Sequence, residues 1–171
     1  MNQSVTGMIA RGVVVLANAG RKLQALQLRL TAREVKDNVE HFEPYGFTSN
    51  PKEGAEALVA FLGGDRSHGV ALMVTDRRAR LQGLQPGEVA IFTHEGQALV
   101  LRNGKIAELT TGTFRVNAED LIELNAPRVT APQDIEAGGK LKATGDVEVA
   151  GKSLLHHRHP ETGAITGEMQ P

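Results

Sequence analysis

FRVNAEDLIELNAPRVTAPQDIEAGGKLKATGDVEV, residues 114–149, is the stretch on which the fold turns. Its apolar residues fall in pairs two apart: Val116/Ala118, Ile122/Leu124, Val129/Ala131, Ile135/Ala137, Leu141/Ala143 and Val147/Val149. From Val129 onward each member recurs every six residues, and the step of seven, from Ile122 to Val129, falls beside Pro127. Side chains two apart on an extended chain share a face, so each pair reads as a very short strand. Turn formers separate the pairs: Asn125-Ala126-Pro127, Pro132-Gln133-Asp134, Gly138-Gly139-Lys140 and Thr144-Gly145-Asp146. A period of six with this glycine and proline content excludes a helical stripe and points to a repetitive β-structure.

A single ribbon of this kind cannot close a core. Each unit offers two inward side chains, many of them alanine, and needs neighbours to cover them. Two architectures supply neighbours. The chain can coil on itself as a left-handed hexapeptide β-helix, as in many acyltransferases, or several identical chains can wind about one axis. The first takes three hexads per turn, so this run would give only about two turns. Its small residue also sits two after the aliphatic one, where the acyltransferase pattern places it two before. The reading adopted is a narrow intertwined homotrimer, with the single-chain hexapeptide acyltransferase as the alternative.

Composition narrows the function classes. The chain has 171 residues, enough for one mid-sized domain or two small ones. It has no cysteine, which excludes disulfides and thiolate metal sites. A net charge of −1 speaks against a nucleic-acid binder held by phosphate contacts. Tryptophan is absent and aromatic residues make up 4%, too few for stacked carbohydrate or single-strand platforms. No apolar run approaches the length of a transmembrane helix. Asn2-Gln3-Ser4 before Val5 lacks the charged-then-apolar pattern of a secretory signal.

The N-terminal part reads as short strands. Residues 8–16, MIARGVVVL, form a β-branched run with Gly12 inside it, expected as a bent strand. Residues 23–30, LQALQLRL, follow the turn Asn18-Ala19-Gly20-Arg21 and read as a second strand, with a helix over 23–35 as the second choice. Residues 40–54 are expected to be a polar loop carrying Tyr45-Gly46-Phe47. Residues 56–62 and 68–74 form a hairpin around Gly63-Gly64-Asp65-Arg66. Residues 88–93 and 97–101 pair around His94-Glu95-Gly96, and a strand over 105–110 follows the turn signal Asn103-Gly104. Five or so consecutive short strands predict a small antiparallel, OB-like barrel. The expected plan is thus all-β: a barrel over residues 1–110, a trimeric β-helix shaft over 111–150, and a tip over 151–171. Intertwining is expected beyond Thr110, so residues 1–109 alone should fold but trimerise weakly.

The tail reads GKSLLHHRHPETGAITGEMQP from Gly151 and holds His156, His157 and His159. A solvated tail is the plain reading. The sharper one notes that His157 and His159, two apart, point the same way on an extended chain and continue the alternation of Leu155. Three copies would bring six neutral nitrogen donors together octahedrally, a set that suits Fe(II), Ni(II) or Co(II) better than four-coordinate Zn(II). His156, one residue off, should face outward.

Barrel, hexad ribbon and terminal H-x-H, in that order, resemble the central spike, or baseplate assembly protein V, of contractile-tailed phages, in particular of Mu-like phages. Glu34-Val35-Lys36-Asp37-Asn38, Tyr45-Gly46-Phe47-Thr48-Ser49, Gly54-Ala55-Glu56-Ala57 and Phe61-Leu62-Gly63-Gly64-Asp65-Arg66-Ser67 are similar to the Mu-type barrel. The resemblance implies a homotrimer whose OB-fold domains dock on the tail hub protein and whose interwound shaft ends in a metal-stapled tip. It implies one iron ion per trimer, held by His157 and His159 of each chain, with Arg158 standing between them where relatives often carry a small or polar residue. It implies a virion protein of the tail baseplate, made in the host cytoplasm, that punctures the host outer membrane on sheath contraction. No enzymatic turnover, small-molecule substrate or nucleic acid is implied. Interwound chains leave no free strand edge, and a metal at the chain ends acts where fraying would begin.

Other polar candidates carry less. His94 could serve the acyltransferase reading as a base, but it sits in a turn outside the repeat. Asp65-Arg66 could be a catalytic pair or a hairpin turn, and the turn is the expectation. Asp134, Asp146 and Glu148 could hold a second ion beside the ribbon, and solvent exposure is expected for them instead. No span remains for a lysozyme-type domain with paired carboxylates.

Overall fold

The structure, a computed structural model, describes residues 8–31, 33–156, 160–161 and 164–165. Two compact units divide it, residues 1–116 and 117–171. Five strands of the first unit close a barrel: β1 Ile9–Asn18, β2 Ala25–Thr31, β3 Glu34–His41, β4 Glu56–Phe61 and β5 Gly69–Thr75. Their order around the barrel is β1-β2-β3-β5-β4. All neighbours are antiparallel except β3 and β5, which run parallel through Glu40↔Val70 and His41↔Ala71. This is the five-stranded OB arrangement anticipated from the sequence, with one parallel contact that the expectation of an antiparallel barrel did not include.

Closure depends on β1, which belongs to both halves of the barrel. Its first half pairs with β4 (Ile9↔Ala60 to Val13↔Glu56) and its second with β2 (Val13↔Arg29 to Asn18↔Ala25). Gly12 lies where the strand changes partners. A Cβ there would stand 2.8 Å from Leu30 Cδ2, so the absence of a side chain lets the strands approach. The barrel is filled by Val14, Leu26, Leu28, Val39, Ala57, Val59, Ala71 and the one large aromatic, Phe61. One end of the core is polar and fully paired. Gln24 Nε2 donates to Ser49 O at 2.9 Å, which leaves its Oε1 to accept from His41 Nδ1 at 3.0 Å. Buried His41 therefore carries its proton on Nδ1.

Strand β3 departs from the sequence reading. Residues 34–41, EVKDNVEH, were not expected as a strand, and the polar loop expected from Glu40 starts only after His41. The helix considered over 23–35 does not form, because β2 and β3 occupy that span. Only Val39 and His41 of β3 are buried, and a bulge with Asn38 at φ 55° breaks the alternation that would have announced it.

The third group of strands is not part of the barrel. β6 Val89–Phe92, β7 Ala98–Arg102 and β8 Ile106–Thr110 form their own three-stranded antiparallel sheet in the order β6-β7-β8. In the second unit, short β9 Glu148–Val149 pairs with β10 Lys152–Ser153, and β11 Pro160–Glu161 with β12 Ala164–Ile165.

Candidate functional site

Residues 117–147 contain no strand, yet their path is regular. Bends fall at residues 119–120, 126–127, 132–133, 138–139 and 144–145, so the steps are seven, six, six and six. They coincide with the turn formers that separate the apolar pairs, and the step of seven ends at Pro127, as in the sequence. Every residue from 112 to 152 is exposed in the single chain. Ile135 and Leu141 are 75% and 74% exposed, more than isolated apolar side chains on a finished surface require. A strand needs a hydrogen-bonded neighbour, and none of these hexads pairs with another of the same chain. The ribbon has the period of a β-structure without the partner that would complete it.

Beyond the ribbon the chain is braced by its own polar groups. Lys152↔Val149 and Ser153↔Glu148 close a two-residue hairpin through Ala150 and Gly151, at φ 52° and 74°. Two positive φ values are the requirement of a type I′ turn. Asp146 Oδ1 accepts from the N–H of Val147 at 2.8 Å and of Leu155 at 3.1 Å. The Ser153 hydroxyl hydrogen-bonds to this carboxylate and holds its pKa below the ordinary value. The same Ser153 Oγ accepts the N–H of His156 at 2.8 Å. Asp146 thus fixes the chain up to the edge of the histidine motif. The sequence reading had placed it only at a turn, and the signal available was the capping chemistry of Asp beside Gly145.

His156 is exposed. His157 and His159, the expected metal ligands, lie outside the described residues, as does Arg158. Among the described residues no three metal-ligating side chains converge. Asp134, Asp146 and Glu148 are all exposed, and Asp146 is engaged in the hairpin. The donor chemistry of His157 and His159 suits a late first-row divalent ion only if further copies add ligands, since two imidazoles leave most positions open.

The other polar candidates resolve into structural roles. Asp65 Oδ1 accepts from Ser67 N at 2.8 Å and Ser67 Oγ at 2.7 Å, closing the β4–β5 turn. Arg66 turns away from it. Its guanidinium grips Glu34 at 2.6 and 3.2 Å, depressing that carboxyl's pKa through the hydrogen bond, and lies 4.7 Å from the Phe61 ring centroid. The pair is split between two jobs and is not a catalytic dyad. His94 sits exposed in the β6–β7 turn, 3.9 Å from Glu95.

Comparison with known proteins covers both units. The family described as Bacteriophage Mu Gp45, N-terminal, matches residues 11–78, which span the barrel from within β1 to just past β5. The baseplate puncturing device gp45 of Escherichia phage Mu is 38% identical over 175 aligned residues, covering 95% of this chain and 89% of that protein. The Mu-like prophage FluMu protein gp45 of Haemophilus influenzae is 36% identical over 160, covering 90% and 87%. With the alignments covering barrel and ribbon alike, the chain belongs to the bacteriophage Mu gp45 family of Mu-like spike proteins.

Proposed function

We propose that this protein is the central spike of a contractile-tail baseplate, a homotrimer that pierces the host outer membrane when the sheath contracts. The observation that carries the reading is the ribbon: apolar pairs at steps of six and one of seven, all exposed in one chain, with no hexad of residues 117–147 paired to another. Three such ribbons wound together would cover the pairs and satisfy every backbone group, leaving no edge to fray under load. The puncturing role named for the phage Mu relative fits a part of this build. The barrel would dock on the tail hub protein, so the chain works as a virion component without chemical turnover. The single-chain acyltransferase is disfavoured, because a hexapeptide coil must pair with its own next turn and these hexads do not.

At the tip, His157 and His159 of the three copies would hold one iron ion through six imidazole nitrogens. Such an ion supplies only a tie between chain ends, with no open position for a substrate. The hairpin held by Asp146 would deliver the three motifs to one place.

Labelling assembled particles with an antibody against the barrel tests the role. Label at the tail tip before contraction is the expected result. Label on the sheath or capsid, or none on particles, would contradict it.

A further inference from the structure

Strands β3 and β5 separate early. They pair only at Glu40↔Val70 and His41↔Ala71, and Phe42 N donates to Ala71 O at 3.1 Å just beyond. β5 runs on to Thr75 with β4 on its other side, through Leu58↔Met73, Ala57↔Val74 and Glu56↔Thr75. From Leu72 to Thr75 it therefore has a neighbour along one edge, and among the described residues no strand takes the other. A groove of about 690 Å³ opens there, lined by residues 72–75 and by residues 41–44 of the chain leaving β3. Side chains of a strand alternate between faces, so a run of successive lining residues means that the groove follows the backbone edge. The register shift beside Leu58 leaves Leu72 and Met73 both exposed, at 49% and 67%, and exposed Leu58 and Phe47 extend this apolar lining. The rim is held by its own bonds: Glu43 accepts from Ser49 N at 2.6 Å and Thr48 Oγ1 at 3.0 Å, and Gln24 Nε2 donates to Ser49 O at 2.9 Å. Two arginines line the groove. Arg77 is paired with Glu56. Arg11, which shares a face with Leu58 and Met73 through Arg11↔Leu58, has no ion pair among the described residues.

We propose that this groove binds an extended peptide segment of another protein, which adds as a strand along residues 72–75 of β5. The open edge sets the class of ligand, because a backbone in extended conformation supplies N–H and C=O groups at the spacing a strand edge requires. Alternate apolar side chains of the segment lie against Leu58, Met73 and Phe47. A carboxylate on it meets Arg11, the lining charge left unmatched, since Glu56 is taken by Arg77 and Glu43 by Ser49 and Thr48. The rim is fixed within the chain itself, so little ordering is needed when the segment enters. Every residue named lies between Arg11 and Arg77 of one chain, so the site stands or falls apart from the trimer.

A yeast-displayed library of random linear peptides, selected on the full-length protein, tests this. The enriched sequence is then synthesised and titrated by fluorescence polarisation. It should alternate apolar residues around an acidic one. Phe47→Ala should weaken its binding about tenfold. Arg11→Glu should weaken it as well, and changing the peptide's acidic residue to lysine should restore binding to that variant, which also shows the variant folded. Methylating alternate backbone nitrogens of the peptide blocks strand pairing, so it should abolish binding in one register and spare it in the other. No enriched sequence, equal binding by wild type, Phe47→Ala and Arg11→Glu, or binding indifferent to methylation in both registers overturns the proposal. An enriched sequence that matches the ribbon, residues 114–149, overturns it too, because the occupant is then a second copy of this chain.

Discussion

Phe61 and Asp76 show how single residues hold the barrel, and by how much. Phe61 fills the barrel centre and supports the Arg66 guanidinium. Phe61→Ala should cost about 3–5 kcal/mol of barrel stability, read as a fall in the denaturant midpoint. Phe47→Ala, at an exposed position, should leave it nearly unchanged. Asp76 is half-buried and well bonded: the Arg78 side chain donates to it, and its carboxyl falls from 3.8 to about 2. A value lower in the folded chain than in the unfolded one adds stability above pH 3.8 that disappears as the pH drops toward 2. The melting temperatures of wild type and Asp76→Asn should therefore differ at pH 7 and converge near pH 2. Solvent screening keeps the difference small.

At the scale of elements, the tip is the sharpest case. Replacing His157 and His159 together with alanine should remove the metal while leaving barrel and trimer intact, and His156→Ala should do neither. Elemental analysis of the three proteins decides it, with metal kept by the double variant as the contradicting result. How much was legible in the sequence varied with the element. The ribbon was legible because apolar pairs and turn formers alternate at one step, and the bends at 126–127, 132–133, 138–139 and 144–145 keep it. Strand β3 was not, since Val35, Asp37 and Glu40 are exposed, half-buried Lys36 stands opposite core Leu28, and the Asn38 bulge breaks the period. Strand patterns also say where strands are without saying which sheet they join, so β6 to β8 were counted into a barrel that closes without them. That exposed Val89, Ile91, Leu99, Leu101 and Leu109 share one face of that sheet became visible only with the register of its ladders. Asp146 was legible as a turn residue, but its bonds to Val147 and Leu155 depend on the hairpin's closure.

For the whole molecule, barrel and ribbon differ in how they are completed. The barrel closes its own core around Phe61 and Leu26. The ribbon leaves its apolar pairs exposed in the single chain, and in the proposed trimer the burial of those pairs should make the copies hard to separate. The central claim is that the company is two more copies of the same chain. Molar mass by light scattering, followed from high concentration down to the micromolar range, tests it most directly. The account predicts three times the single-chain mass, unchanged on dilution; a single-chain mass anywhere in that range would contradict it.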